Sequence, residues 1–410
     1  MARTGYVDLN YLPIESDLLV YFYVEPGENL ALAKASEAIA AESSIGTWTD
    51  ISTTKPGIME RLGPTVYEMD AKTGIVKISY PCDLFEPGNM PQIFSSIAGN
   101  IFGMKSVSNL RLLDIKYPKS IVKSFKGPKY GVAGVRKILK VKDRPLVGTI
   151  IKPKLGLGAD DHAHVAYDSW IGGCDIVKDD ENLTNQRFNP FGERVIKTLK
   201  MRERAECETC DKKVYMPNVT ADTEEMINRA ELVKENGGEY VMVDVVTAGF
   251  SGLQSLIDED LELVIHAHRA MHAAFTRNPK HGISMLAYAR SLRLVGVDQL
   301  HIGTAVGKME GPAKDVIAIK DAMAEELCNT KSVFPVCSGG LHPGMVADLM
   351  GILGKDIIIQ MGGGIHGHPQ GTVEGARAAR EAVEAVMKGV SLEEYSEDHD
   401  ALKEALEKWD

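Results

Sequence analysis

The chain has 410 residues, 44% of them hydrophobic and 25% charged, and a formal net charge of −11. This is the profile of a globular protein long enough for two domains, with a core that needs no disulfide or metal to close it. An acidic chain is a poor partner for nucleic acid or an anionic membrane, although cations gathered in one cleft can still hold a phosphorylated ligand.

The segment "MARTGYVDLNYLPIESD" (1–17) has no apolar core of signal-peptide length. No apolar run approaches the roughly 18 residues of a membrane span, so a cytoplasmic protein is expected. Next comes a β-rich run, "DLLVYFYVEP" (17–26), and an alanine-rich helical stretch, "ENLALAKASEAIAAES" (28–43). "TVYEMDAKTGIVKISYP" (65–81) reads as two strands around Lys72-Thr73-Gly74. "NMPQIFSSIAGNIFG" (89–103) reads as a second helix and "LRLLDIKYP" (110–118) as a closing strand. Strand, helix, hairpin, helix, strand predicts a ferredoxin-like α+β domain over residues 1–125.

Over residues 126–410 short apolar strands alternate with amphipathic helices. Eight strand candidates stand out: 145–152, 174–180, 213–220, 240–246, 261–268, 298–304, 333–340 and 356–364. Continuous apolar runs are the mark of buried parallel strands. Eight strand–helix repeats predict an α/β fold of the (β/α)8 TIM-barrel type, with a doubly wound open sheet as the alternative. The last stretch, "SLEEYSEDHDALKEALEKWD" (391–410), reads as a charged amphipathic helix or a fraying tail. Of six cysteines, Cys82, Cys174, Cys328 and Cys337 are isolated and read as free thiols. Cys207 and Cys210 form a CxxC with no second pair at zinc-site spacing, so a structural role outweighs redox or metal binding.

The strand ends carry chemistry, and on a barrel they share one rim. In order they supply Lys152 and Lys154; Lys178, Asp179, Asp180 and Glu181; Asn218; His268 and Arg269; His301; Ser338, Gly339 and Gly340; and Gly362, Gly363 and Gly364. After His301 comes "GTAVGKMEG" (303–311), which carries Lys308. Each alone has an ordinary reading: a solvated KxK edge, a satisfied histidine, a tight glycine turn. Together they point to chemistry. Asp180 and Glu181 are hard oxygen ligands suited to Mg2+. The glycine clusters let backbone N–H groups approach an anion, and the lysines and Arg269 supply cations. The pattern predicts a Mg2+-dependent enzyme acting on a doubly phosphorylated substrate by proton abstraction beside a carbonyl.

Several stretches resemble the large subunit of ribulose-1,5-bisphosphate carboxylase/oxygenase (RuBisCO). They are "KPKLGL" (152–157), "GGCDIVKDDE" (172–181), "HRAMH" (268–272), "GTAVGKMEG" (303–311), "SGGLH" (338–342), "GGGIHGHPQG" (362–371), "AAESSIGTW" (40–48) and "GNIFG" (99–103). The chain length and "GPKYGVAGVRKIL" (127–139) look most like the archaeal (form III) branch.

The resemblance implies carboxylation and oxygenation of ribulose 1,5-bisphosphate, with CO2 and O2 as co-substrates. It also implies that an activating CO2 carbamylates Lys178, which then binds Mg2+ with Asp180 and Glu181; Asp179 is left out of the metal set. Lys152, Lys178, His268 and Lys308 would be catalytic, with Lys154 tuning Lys152. Arg269, His301 and Ser338 would hold one end of the substrate. Thr47, Trp48, Gly339, Gly340, Gln360, Gly362 and Gly363 would line the rest. Glu42, Thr47, Trp48 and Asn100 would complete the site of a neighbouring subunit, which makes a homodimer minimal and a ring of dimers possible. Ile302 stands where plant-type members carry a small polar residue, and Arg187 where proline is common. The competing readings are a RuBisCO-like enolase or isomerase that does not fix CO2, and a silent barrel used as a scaffold.

Overall fold

The computed structural model describes residues 5–47, 49, 52–55, 57–307 and 312–409. The chain forms two compact units. One comprises Met1–Lys126, Met271–Val295 and Glu326–Thr330, the other Gly127–Ala270, Gly296–Glu325 and Lys331–Asp410.

The first unit is built on β1 (Leu18–Pro26), β2 (Thr65–Asp70), β3 (Ile75–Tyr80) and β4 (Val107–Lys116). They pair antiparallel in the order β4-β1-β3-β2, the ferredoxin-like arrangement. Alternation along β1 buries Leu18, Val20, Phe22 and Val24. The helix Leu32–Glu42 packs on β1 and β2 and buries Ala35, Ile39 and Ala40. The second helix is shorter than its pattern suggested. Asn89 caps it by accepting from Gln92 N at 3.0 Å, it runs Met90–Ile97, and a separate 3-10 turn follows at Asn100–Gly103.

The second unit carries β5 (Leu146–Ile150), β6 (Ile176–Lys178), β7 (Val214–Met216), β8 (Tyr240–Asp244) and β9 (Val264–His268). Next in the chain, β10 (Gly282–Ile283) lies parallel to β4 in the first unit's sheet. Then β11 (Gln299–His301), β12 (Phe334–Ser338) and β13 (Ile358–Gln360) complete the second unit's strands. These eight run parallel in the order β7-β6-β5-β13-β12-β11-β9-β8. The ends of that series meet. Asn218 bridges Met242 in parallel, with Met242 N donating to Pro217 O at 2.9 Å and Val219 N to Met242 O at 3.0 Å. The sheet is therefore a closed barrel, and the open-sheet alternative falls.

Leu146, Ile176, Val214, Met216, Tyr240, Met242, Val264, Phe334, Val336 and Ile358 form one buried cluster with Val135 and Leu139 of the helix Gly131–Leu139. The tail does not fray. Its helices Leu392–Ser396 and Asp400–Trp409 dock, burying Ala401 and Ala405 against Ala378. No helix among the described residues is long and apolar enough to cross a membrane.

Just before β6, Asp175 is buried and takes a bidentate bond from Arg144, Nη1 to Oδ2 at 2.6 Å and Nη2 to Oδ1 at 2.7 Å. Val147 N donates to Oδ2 at 2.9 Å, which ties the acid to β5. Burial pushes this carboxyl up, but Arg144 and Arg380 pull it further down, so the net shift is below the ordinary value. A depressed carboxyl adds stability above its unfolded value, about 3.9, and loses it as pH falls through the folded value. Asp175→Asn is thus expected to cost about 3 kcal/mol at neutral pH, and the gap to wild type should close below about pH 4. Denaturant midpoints across pH test this; a gap that does not change with pH would contradict it.

Candidate active site

The β6 strand is one turn of pleat long and delivers Lys178 at its end. Lys178 is 1% exposed; its Nζ donates to the Asp179 carbonyl at 2.8 Å and to Met242 Sδ at 3.4 Å. Burial disfavours its charged form and lowers its pKa, against the opposing pull of Glu181, Asp180, Asp244 and Asp179. Asp180, also buried, accepts from Lys152 Nζ at 2.7 Å on Oδ2 and from Asn182 Nδ2 at 3.0 Å on Oδ1. Glu181 accepts from Lys154 Nζ at 3.1 Å. Burial pushes Glu181 up, but Lys178, a backbone N–H, His268 and Lys154 bring it down to about 2.

Asp179 belongs to a different environment. Its carboxylate accepts from Arg194 Nε at 3.1 Å, Tyr215 Oη at 2.6 Å and the Asn218 backbone N at 3.0 Å, and His162 Nε2 lies 3.1 Å away. Burial pushes its carboxyl up, yet Arg194 and His162 hold it well below the usual range. Asp179 and Arg194 are both fully buried, and the acid is spent on this framework.

The neighbouring strands add the bases. Asp244, ending β8, lies 2.9 Å from His268 Nδ1, so His268 presents Nε2, which is 3.9 Å from Glu181 Oε2. Asn218 Nδ2 ties Glu181 O and Asp244 Oδ2, each at 3.2 Å. Burial lowers the pKa of His268, opposed by Asp244. His301 bonds Ser338 Oγ through Nδ1 at 2.8 Å and His266 Nε2 through its own Nε2 at 2.9 Å.

Arg269, half-buried, donates to no group among the described residues, and burial lowers its pKa to about 10. A Cβ on Gly303, whose φ is +99°, would sit 2.7 Å from Arg269 Nη2, so only glycine leaves this guanidinium its place. Gly339 and Gly340 turn the chain after β12 with φ of 119° and 69°. Gln360 is buried with neither amide atom hydrogen-bonded among the described residues, so its amide is suited to a ligand or ordered water. A Cβ on Gly362 would stand 3.1 Å from Lys152 Cε, whereas one on Gly363 would meet open space.

At the strand ends Lys152 thus pairs with Asp180 and Lys154 with Glu181, His268 Nε2 stands 3.9 Å from Glu181, Lys178 ends the strand just before these acids, and His301 bonds Ser338. Glu42, Thr47 and Asn100 lie in the first unit: Glu42 ends its helix half-buried, and the other two are exposed. Trp48 and Lys308 lie outside the described residues. Ile302 is buried and its N–H joins Val336 O at 2.9 Å, while Arg187 is exposed. Sequence reasoning missed Asp244, His266, Gln299 and Arg194. Asp244 closes an apolar strand as Lys178 does, and His266 stands two residues before His268 on the same strand, which are the signals that could have found them. Cys207 and Cys210 are exposed and all six cysteines are free thiols.

A closed parallel barrel with acids, bases and cations at the C-terminal ends of its strands is the framework of a (β/α)8-barrel enzyme. Comparison with known proteins narrows this. Residues 131–409 match the catalytic domain, and residues 5–121 the N-terminal domain, of the ribulose bisphosphate carboxylase large chain. The ribulose bisphosphate carboxylase of Methanocaldococcus jannaschii is 53% identical over 98% of this chain and 99% of its own. That of Pyrococcus abyssi is 49% identical over 98% and 96%. Among solved structures, the octameric RuBisCO of Pyrococcus horikoshii in complex with sulfate superposes with a TM-score of 0.95 at 48% identity, covering 98% of this chain and 96% of that one. The dimeric archaeal RuBisCO of Hyperthermus butylicus gives 0.93 at 44% identity, covering 98% of each. The chain belongs to the ribulose bisphosphate carboxylase large chain family.

Proposed function

We propose that this chain carboxylates ribulose 1,5-bisphosphate to two molecules of 3-phosphoglycerate, with O2 as the competing co-substrate. The observation that carries the reading is Lys178: a buried lysine of depressed pKa between acids, where an unprotonated amine can take up CO2 as a carbamate.

The donor set fits Mg2+. Asp180 and Glu181 each accept from a lysine ammonium, at 2.7 and 3.1 Å, so their oxygens already face a cation. Two carboxylates leave room for a third oxygen donor, which a carbamate on Lys178 would supply. Bound by these three residues, Mg2+ would supply positive charge at the substrate ketone and acidify the neighbouring C–H.

Lys178, as its carbamate, would take the C3 proton of the substrate and leave an enediolate. Lys152 sits beside Asp180 as a cation for the charge that develops and later protonates C2 of the product released by C2–C3 cleavage. Lys154 holds Glu181 and, as a second cation on the same strand end, tunes Lys152. His268, fixed by Asp244, moves protons through Nε2 as C3 is hydrated. CO2 adds to C2 of the enediolate before that hydration and cleavage, and Lys308 stabilises the carboxylate so formed.

Arg269, His301 and Ser338 hold one end of the substrate. The other end rests on Gly339, Gly340, Gln360, Gly362 and Gly363. Thr47, Trp48, Glu42 and Asn100 come from a second copy, so the working unit is at least a homodimer; the dimeric and octameric relatives support this. The enzyme works in the cytoplasm.

The test is incubation of the purified protein with Mg2+, labelled bicarbonate and ribulose bisphosphate under anoxia. Acid-stable label in 3-phosphoglycerate is expected. Substrate enolised or isomerised without label would instead make the protein a RuBisCO-like enolase or isomerase.

A further inference from the structure

The geometry points to His266 as a positioning residue that, held by Gln299, sets the proton order of His301 and turns the Ser338 hydroxyl inward. All four side chains lie on adjacent strands: His266 on β9, Gln299 and His301 on β11, Ser338 on β12. Strand register puts Gln299 directly beside His266. Three contacts join them: His266 Nδ1 to Gln299 Oε1 at 2.8 Å, His266 Nε2 to His301 Nε2 at 2.9 Å, and His301 Nδ1 to Ser338 Oγ at 2.8 Å.

A neutral imidazole has one N–H and one acceptor nitrogen, so the chain admits only two orders. Burial keeps both rings neutral, lowering His266 to about 3 and holding His301 well below the ordinary value. Gln299 Oε1 can only accept, so His266 carries its proton on Nδ1. Its Nε2 is then an acceptor, and His301 must donate from Nε2. Nδ1 of His301 is left bare and accepts the Ser338 O–H.

The consequence is chemical. His301 has no N–H left for an anion, and Ser338 shows a ligand its oxygen lone pairs, not its proton. Of the three residues assigned to one end of the substrate, only Arg269 is then a donor to phosphate; His301 acts through Ser338, which accepts from a ligand N–H or O–H. If the Gln299 amide were turned over, every bond would reverse and Ser338 would become a donor.

The kinetic arm of the test rests on the carboxylase reading; the spectroscopic arm does not. Full-length protein labelled with 15N in its 11 histidines gives long-range 15N–1H spectra that report the tautomers, assigned with His266→Gln and His301→Gln. The expected result is His266 protonated on Nδ1 and His301 on Nε2. The opposite pair overturns the proposal. Gln299→Leu removes the acceptor and should let His266 populate the Nε2–H form. With it, KM for ribulose bisphosphate should rise about fivefold while kcat stays within about twofold, the effect of loosening one hydrogen bond in binding. An unchanged His266 tautomer in Gln299→Leu, or a loss confined to kcat, also overturns it.

Discussion

Lys178→Met protein is expected to fix no measurable CO2 while keeping its fold. Methionine matches the length of the lysine stem and suits a site that is buried against Met242, so circular dichroism should not change. The loss comes from chemistry. Lys178 is assigned two tasks, oxygen donor to the metal and base toward C3, and methionine can do neither. Removing a general base alone costs about 10²–10⁴-fold, and the missing metal ligand adds to it, so turnover should drop by at least about 10³-fold.

The carbamate has its own readout. The amine must be unprotonated to attack CO2, and each carbamate formed releases a proton. Burial favours the unprotonated amine. With 13C-bicarbonate and Mg2+, wild type should show one carbamate resonance that Lys178→Met lacks. A Lys178→Met protein that still incorporated label would sink the assignment, and a resonance that survived the substitution would move the carbamate to another lysine.

Asp179→Ala is expected to cost about 3–5 kcal/mol of folding stability, because it strands a buried guanidinium. Arg194 is fully buried and its Nε meets Asp179 alone, although Nη1 and Nη2 also donate to Asn189 O at 3.0 Å and to Thr184 O at 2.6 Å. The same carboxylate takes the Tyr215 hydroxyl and the Asn218 N–H, so two more buried groups lose a partner. Asn218 in turn holds Glu181 and Asp244, and Asp244 orients His268, so activity should fall as well. Chemical denaturation measures the first effect. A loss under about 1 kcal/mol would mean that Arg194 finds other partners, and the framework role of Asp179 would fail.

Much of this was legible in the chain. The eight barrel strands could be counted because strands buried on both faces must be apolar throughout, as Val241, Met242 and Val243 are in β8. The rim chemistry was legible because each apolar run stops on a polar residue, Lys178 after Ile176-Val177 being the plainest. Strand ends were less so: the run ending at Lys152 yields a strand only as far as Ile150. β10 was not legible at all, because two residues pairing with β4 from about 170 positions away leave no periodic trace.

In the acidic cluster, sequence set down which residues are adjacent: a lysine and three carboxylates at the end of an apolar strand. It could exclude Asp179 from the metal set only through resemblance. The reason lies in space. His162, Arg194 and the Tyr215–Asn218 strand end reach Asp179 from three separate places in the chain, and no spacing relates those places. The His266–His301–Ser338 chain likewise exists only because parallel strands bring residues 266, 301 and 338 side by side. Local order along a chain encodes periodicity and end groups. Which buried charge is compensated, and which nitrogen carries a proton, depends on neighbours that only the closed barrel supplies.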